Sequence, residues 1–463
     1  MVALTPNPSY SVTMRLRIPN QAGTLALVTQ AIAEVGGSLG NIELIERNLK
    51  FLLRDITVDA SSDKHSAEIE EAVKAVPDIE VISISDRTFD IHKGGKITVE
   101  SRIPLTVTSD LAMAYTPGVG RVCKEIAEHP EKVFDLTVKS NMVAIVTDGS
   151  AVLGLGNLGP EAAMPVMEGK AMLFKEFADV NAFPICLATQ DVDEIVKTVK
   201  YLAPVFGGVN LEDIAAPRCF EIEKRLKAET DIPIFHDDQH GTAIVSLAAL
   251  FNAVKLVKKD LKDVKVVING AGAAGIAIAK LLRQAGVQDI WMCDSRGIIS
   301  SKRDSLTPEK AEFTVEAEGN LADAMQGSDI FLGVSVPGVV TPEMVESMAT
   351  DPIVFAMANP IPEIQPELIM DKAAVVATGR SDYPNQINNV LAFPGVFRGT
   401  LDCRASSITT NMCLQAAQAI ASLVSAEQLD KEHIIPSVFD ERVAIAVAAA
   451  VGQAARQDGV ARC

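Results

Sequence analysis

Between residues 10 and 88 the apolar positions change period several times. Ser11 to Ile18 alternates apolar and polar residues like a half-buried strand, and Pro19-Asn20-Gln21-Ala22-Gly23 turns the chain. Thr24 to Val35 places apolar residues at helical spacing until Gly36-Gly37 stops it. Strand-like runs at Asn41–Arg47 and Leu49–Val58, a helical stretch at Lys64–Val76 and a last strand at Ile79–Ile84 complete a βαββαβ unit, the pattern of a small ferredoxin-like α+β domain. The polar stretch His92 to Lys96 reads as a linker. Strand, helix and loop then alternate to about residue 240. From Asp263 the βα pattern becomes regular, with short apolar strands in VKVVIN, DIWMCD, SDIFLGVS, PIVFAMANP and AVVATG. Strands of this kind between helices predict a parallel sheet buried on both faces, a Rossmann-type doubly wound α/β fold. The chain thus divides into an α+β domain at 1–92, an α/β domain at 93–236, a dinucleotide-type domain at 237–403 and helices at 404–463 that pack back on the core. Repeats and low-complexity tracts are absent.

Several segments carry chemistry. Gly270-Ala271-Gly272-Ala273-Ala274-Gly275 follows a strand and opens a helix, where glycines allow a tight turn and bring a pyrophosphate to the helix N-terminus. Asp294 ends the next strand and suits the ribose hydroxyls of NAD. Arg296, Lys302 and Arg303 suit the 2′-phosphate of NADP, so the two signals conflict; the choice stays open with a slight lean to NADP. Two acidic pairs, Glu212-Asp213 and Asp237-Asp238, follow short apolar segments and therefore stand at strand ends or helix starts. Hard carboxylate oxygens there suit Mg²⁺ or Mn²⁺. HDDQH spaces two histidines four apart, but it precedes its helix and has Asp where the zinc motif HExxH has Glu, so zinc is rejected. Lys170 and Tyr115 could act as base and acid beside a cation that lowers their pKa values.

Composition narrows the partners. Hydrophobic residues make up 48% and charged residues 22%, the balance of a core-forming chain. A formal net charge of -18 argues against nucleic acid or an anionic membrane as partner, since both need a basic face. Seven cysteines without a CxxC pair argue against a disulfide framework and for a reducing cytoplasm. The N-terminal sequence does not show a signal-peptide pattern, and apolar stretches such as Val443 to Val451 are too short to span a bilayer.

Two resemblances add to this reading. IPNQAGTLALVTQAIAEVGGSLG resembles the opening of an ACT regulatory domain, which implies a small-molecule effector loop around Asn20 to Gly23. YTPGVG, DGSAVLGLGNLGP, PVMEGKAMLFKEF, FGGVNLEDI, FHDDQHGTA, NGAGAAG and GRSDYPNQINNVLAFPGVFRG stand in order from about Ile103 to Pro436 and closely resemble the malic enzymes, of the shorter bacterial type. The resemblance implies oxidative decarboxylation of malate with NAD or NADP and a divalent metal, in a homodimer or larger assembly. It implies Lys170 as general base, neutral because it is close to the cation, and Tyr115 as general acid. Glu212, Asp213 and Asp238 would be the metal ligands, and Asp237 an acidic neighbour that tunes them. Asn359 and Asn389 would contact substrate or nicotinamide. Ala151 stands where longer relatives have an arginine for the malate carboxylate, so that contact has no assigned residue. A malolactic enzyme, with the same residues but no net cofactor reduction, is the alternative.

Overall fold

The computed structural model describes residues 6–463. It divides into two compact units, the first ending at Val99 and the second spanning Glu100–Cys463.

The first unit has four strands, β1 (Asn7–Pro19), β2 (Ser38–Arg47), β3 (Phe51–Ala60) and β4 (Glu80–Asp86), in the order β2-β3-β1-β4. Every neighbouring pair is antiparallel. This is the ferredoxin-like order that the βαββαβ pattern predicts. The alternation on β1 sorts its residues: Met14, Leu16 and Ile18 are buried with Val28 and Ile32 of one helix and Ile69 and Val73 of the other. Thr13 and Arg15 project the opposite way, where Arg15 forms a two-pronged pair with Asp55 at 2.8 and 2.7 Å. In the loop after β1, the Asn20 side chain donates to the carbonyl of Asn48 at 2.8 Å, and Gly23 adopts a left-handed φ of 92°.

The second unit contains two sheets. The first orders β5 (Met142–Thr147), β6 (Asn181–Cys186), β7 (Gly208–Leu211) and β8 (Ile234–His236) as β6-β5-β7-β8, all parallel. The second contains β9 (Lys265–Asn269), β10 (Asp289–Asp294), β11 (Gly297–Ile298), β12 (Ile330–Gly333), β13 (Ile353–Ala356) and β14 (Val375–Thr378), in the order β11-β10-β9-β12-β13-β14. This is the doubly wound arrangement expected, with two departures. The strand beyond β10 is a two-residue antiparallel return, and the connections from β12 to β13 and from β13 to β14 hold only the short helix Pro342–Glu346 and the turn Pro366–Leu368.

The helix Thr242–Leu256 joins the two sheets in sequence. It is buried on nearly every side because apolar residues ring it rather than forming a stripe. The helices Phe393–Asp402 and Arg442–Gln457 cross closely. A Cβ at Gly395 would lie 2.7 Å from Val447, and one at Gly399 would lie 2.3 Å from the Ala448 carbonyl. Phe174 stacks edge-on to Phe393 and Phe397 at 4.7 and 5.3 Å, so the C-terminal helices lock onto the helix Pro160–Ala178. Each such pair contributes about 0.5–1.5 kcal/mol beyond its buried area.

Candidate active site

In parallel sheets ligands bind beyond the carboxyl ends of the strands. β5, β7 and β8 are neighbours, so their ends converge: Asp148 follows β5, Glu212-Asp213 follows β7, and Asp237-Asp238 follows β8. Glu212, Asp213 and Asp238 each offer one carboxylate oxygen, and the three lie within 4.8 Å of one another. Asp213 takes a left-handed φ of 53°, and its backbone N–H donates to Asp238 at 2.9 Å. Lys170 reaches in from the helix Pro160–Ala178. Its ammonium donates to Glu212 at 2.5 Å and to Asp237, and it lies 4.5 Å from the centre of the Phe393 ring.

Supporting residues hold this cluster. Asn210 donates to Glu212 at 2.9 Å, and Asn389 donates to Asp237 at 3.0 Å. Asp237 to Gly241 form a wide π-type turn, and a Cβ at Gly241 would stand 1.9 Å from an Asp237 carboxylate oxygen. Only glycine leaves Asp237 its place.

The site gathers four buried or half-buried carboxylates around one lysine. Burial pushes Glu212 well above the carboxylate range; Lys170 offsets part of this and the other acids add to it. Burial and then Asp238 raise Asp213 to about 7, and burial raises Asp237 against the pull of Lys170. Burial disfavours the charge on Lys170, but Asp237, Glu212 and Asp238 outweigh it and hold the ammonium above its ordinary range. The neutral lysine expected from the sequence is one beside a bound cation, and these carboxylates by themselves favour the protonated form instead. Asp213 Oδ2 and Asp237 Oδ1 are buried without a hydrogen-bond partner, an unfavourable state for anionic oxygens. The donor set fits a hard divalent cation, because it offers oxygens only and excess negative charge. Of the histidines of HDDQH, His240 pairs with Glu223 at 2.6 Å, while His236 lies buried with Nδ1 3.8 Å from Asp238 and both ring nitrogens without a hydrogen-bond partner.

The second sheet supplies a dinucleotide cleft at the point where strand order reverses, between β9 and β12. A Cβ at Gly270 would meet the Val334 carbonyl at 2.3 Å, and one at Gly275 would meet the Gly270 carbonyl at 1.7 Å. A Cβ at Gly272 would enter open space. The outer glycines are thus demanded by the fold, and the middle one leaves room beside the helix N-terminus. Ala271, Ala273 and Ala274 complete the loop. Asp294 pairs with Arg303 and Lys310, each at 2.8 Å. Burial opposes its charge, but these partners hold its carboxyl down at about 2. Lys302 pairs with Glu318 at 3.4 Å. Asn359 stands on the loop after β13, against Gly379, and its carbonyl lies beside Gly154 of the DGSAVLGLG segment.

The structure does not bring every expected residue together. Tyr115 is 69% exposed, and among the described residues its hydroxyl makes no hydrogen bond. Asn389, expected against substrate or nicotinamide, donates to Asp237 and to Thr242. Sequence reasoning passed over Asn210, Gly241, Lys310 and the buried Glu363, whose carboxylate accepts from the backbone N–H groups of Ser335 and Ala358. It also passed over Arg218, which pairs with Asp148 at 3.1 Å. Asn210 left a signal, since it stands two residues before Glu212 and so on the same side of an extended chain. The others depend on contacts distant in sequence.

A parallel dinucleotide sheet beside a carboxylate-lysine cluster defines an α/β oxidoreductase. Family models for the malic enzyme N-terminal domain and the malic enzyme NAD-binding domain match residues 95–227 and 239–456. The chain is 54% identical over its full length to the NAD-dependent malic enzyme of Geobacillus stearothermophilus, covering 98% of that protein. It is 59% identical over 82% of its length to the bifunctional malic/malolactic enzyme of Bacillus subtilis, covering 95% of it. The crystal structure of the NAD-dependent malic enzyme of Thermotoga maritima superimposes with a TM-score of 0.76 at 47% identity, over 80% of this chain and 99% of that one. The chain belongs to the malic enzyme family. Its reaction is the NAD(P)-dependent oxidative decarboxylation of malate.

Proposed function

We propose that Lys170 is the general base of this reaction, that Glu212, Asp213 and Asp238 hold Mg²⁺ or Mn²⁺, and that NAD is the preferred acceptor. The observation that carries this reading is the cluster itself, three carboxylates within 4.8 Å of one another with Lys170 bound to one of them. Bound there, a divalent cation would supply Lewis acidity at the malate oxygens and the charge that releases the Lys170 proton. Lys170 then takes the C2 hydroxyl proton as the C2 hydride leaves for the nicotinamide. The C3–C4 bond breaks, CO₂ departs and its electron pair forms the enolate of pyruvate. Tyr115 returns a proton to C3. The sum is malate and NAD⁺ giving pyruvate, CO₂ and NADH. Asn210 and Asn389 are positioning residues for Glu212 and Asp237, and Arg218 is the cation proposed for the malate carboxylate that Ala151 leaves without an arginine.

The cofactor reading rests on Asp294. Of the three cations that favoured NADP, Arg303 is spent on Asp294 and Lys302 on Glu318, and only Arg296 makes no ion pair among the described residues, which favours Asp294 facing ribose hydroxyls over a phosphate. The Geobacillus relative is also named for NAD. The direct test supplies malate and Mn²⁺ with NAD or NADP and follows nicotinamide absorbance. Faster reduction of NADP at equal concentration would reverse this assignment.

Tyr115 lies on an exposed apolar arm of the second unit that includes Ile103, Leu105 and Met113. We assign this arm to the interface of a homodimer or larger assembly, in which Tyr115 serves the site of a second copy. The first unit is read as an ACT-like regulatory domain on a catalytic core of the short bacterial type, with Asn20 and Gly23 in its effector loop. Among the described residues no helix is long and apolar enough to cross a membrane, and a cytoplasmic location is proposed. The Bacillus subtilis relative, named as both malic and malolactic, favours a second reading. Lactate formation without net nicotinamide reduction would establish it.

A further inference from the structure

A cleft of about 1020 Å³ lies on the second unit, between the helices Arg218–Glu229 and Ala273–Gln284, the short helix Pro308–Ala311 and the start of Thr410–Ser422. Neither Gly270 to Gly275, nor Asp294, Asn359 or the metal-binding carboxylates line it. Arg218, on its wall, is the residue it shares with the proposed malate site. Its lining includes Phe220, Ile276, Ala277, Leu281 and Ile408, a floor wide enough for a ring system. Lys224, Lys227, Lys280, Arg283 and Arg218 line it too, facing Glu221, Glu223, Glu309 and Glu312, so its lining carries a small positive excess in a chain of net charge -18.

Their partners leave much of that charge available. Among the described residues Lys224 makes no ion pair, and Lys280 has one, with Glu312 at 3.1 Å. Arg283 lies 4.0 Å over the Phe313 ring and donates to the Glu312 carbonyl. Of the four glutamates, Glu312 and Glu223 are taken up by Lys280 and Lys227, and Glu221 faces Arg225 at 3.7 Å. Gln239 supplies an independent indication of a ligand. It is 4% exposed, it lines the cleft, and its Nε2 is buried without a hydrogen-bond partner. Beside it His240 is fixed by Glu223, which also holds Lys227 at 2.8 Å.

We propose that this cleft binds an organic phosphate of the nucleoside diphosphate class as an effector. Its phosphates would lie against Lys224 and Lys280, its ring over the apolar floor, and an acceptor atom on Gln239. Gln239 and His240 belong to the same turn as Asp237 and Asp238, so occupancy acts on the position of the metal carboxylates. The inference goes beyond malate oxidation and does not depend on the residue roles assigned there.

Calorimetric titration of ADP, without metal or malate, into the full chain saturated with NADH tests the site. One ADP per chain is expected. The double variant Lys224→Ala/Lys280→Ala should bind at least tenfold more weakly while keeping its NADH affinity. Equal binding by the variant overturns the proposal, as does release of NADH in step with ADP uptake. Inorganic pyrophosphate should bind at least tenfold more weakly than ADP, and equal affinity would remove the role of the apolar floor. In NAD reduction assays at buffered free Mn²⁺, ADP should shift the Mn²⁺ requirement of the wild type but not of the variant. An unchanged requirement in the wild type would sever the link to the metal turn. Because the first readout contains no malate, its outcome is separable from that of the proposed reaction.

Discussion

Two substitutions in one loop should fail in different ways. A Cβ at Gly275 would sit 1.7 Å from the Gly270 carbonyl, where real contacts essentially never fall below 3.0 Å, so the helix and loop must part by about 1.3 Å, the difference of the two. Gly275 lies inside the helix Ala273–Gln284, where alanine on its own would gain about 1 kcal/mol. Overpacking costs roughly 1–3 kcal/mol, and the upper end applies when the obstacle is backbone rather than a side chain that can swing aside. The clash wins, and Gly275→Ala should lose about 2 kcal/mol. For a domain of this size that is roughly 4 °C in Tm. Gly272→Ala meets open space and should melt with the wild type, within about 0.5 kcal/mol. Its methyl group instead occupies room proposed for the pyrophosphate, and NADH affinity should fall about tenfold, or roughly 1.4 kcal/mol. Thermal melts by circular dichroism and NADH fluorescence titrations read the two effects separately. A Gly275→Ala chain with unchanged Tm and NADH affinity, or a Gly272→Ala chain that loses Tm but not affinity, would refute the division of labour drawn from the geometry.

Asp238→Asn should abolish turnover and weaken Mn²⁺ binding at least about tenfold in a direct titration; unchanged binding would remove Asp238 from the ligand set. Lys170→Ala should eliminate malate oxidation while NADH still binds, and retained turnover would sink the assignment of the base. If Tyr115 serves a second copy, inactive Lys170→Ala and Tyr115→Phe chains should regain activity when unfolded together and refolded as a mixture, since some mixed sites then carry both wild-type groups. No recovery would place both groups on one chain. The carboxyl of Asp294 is held at about 2 against an ordinary 3.8, so its stabilising pairs are fully present above 3.8 and lost only as the pH falls through about 2. NADH affinity should therefore show no Asp294-dependent change between roughly pH 5 and 9. A change in that range that disappears in Asp294→Asn would contradict the pairing.

The sequence made the architecture readable because periodicity is a local property. The alternation of Val12, Met14, Leu16 and Ile18 survives intact as the buried face of β1. The strand-glycine-helix order at residues 265–284 likewise became the dinucleotide loop. The short links after β12 and β13 were less readable, since their apolar residues serve a buried sheet without forming full helices. At the candidate site, Glu212, Asp213 and Asp238 stood out as unusual acidic pairs, and they do converge. The company of Lys170 was not readable, because residue spacing does not reveal Glu212, Asp237 and Asp238 as its neighbours. Gly241 was also silent: its importance comes from the position of a side chain four residues earlier. Lys310 lies sixteen residues beyond Asp294, too far for local reasoning to pair them.

Glu363 has a consequence for motion. One oxygen of its carboxylate accepts from the N–H of Ser335 on the loop after β12, the other from the N–H of Ala358 on the loop after β13. A single buried carboxylate thus ties two loops together at the rim of the dinucleotide cleft, and the opening of one is expected to weaken the hold on the other. In hydrogen exchange the amides of Ser335 and Ala358 should open together, with one shared protection. In Glu363→Gln, where one acceptor becomes a donor, the two should exchange independently. The rim of the cleft would then be a single moving part whose latch is one side chain.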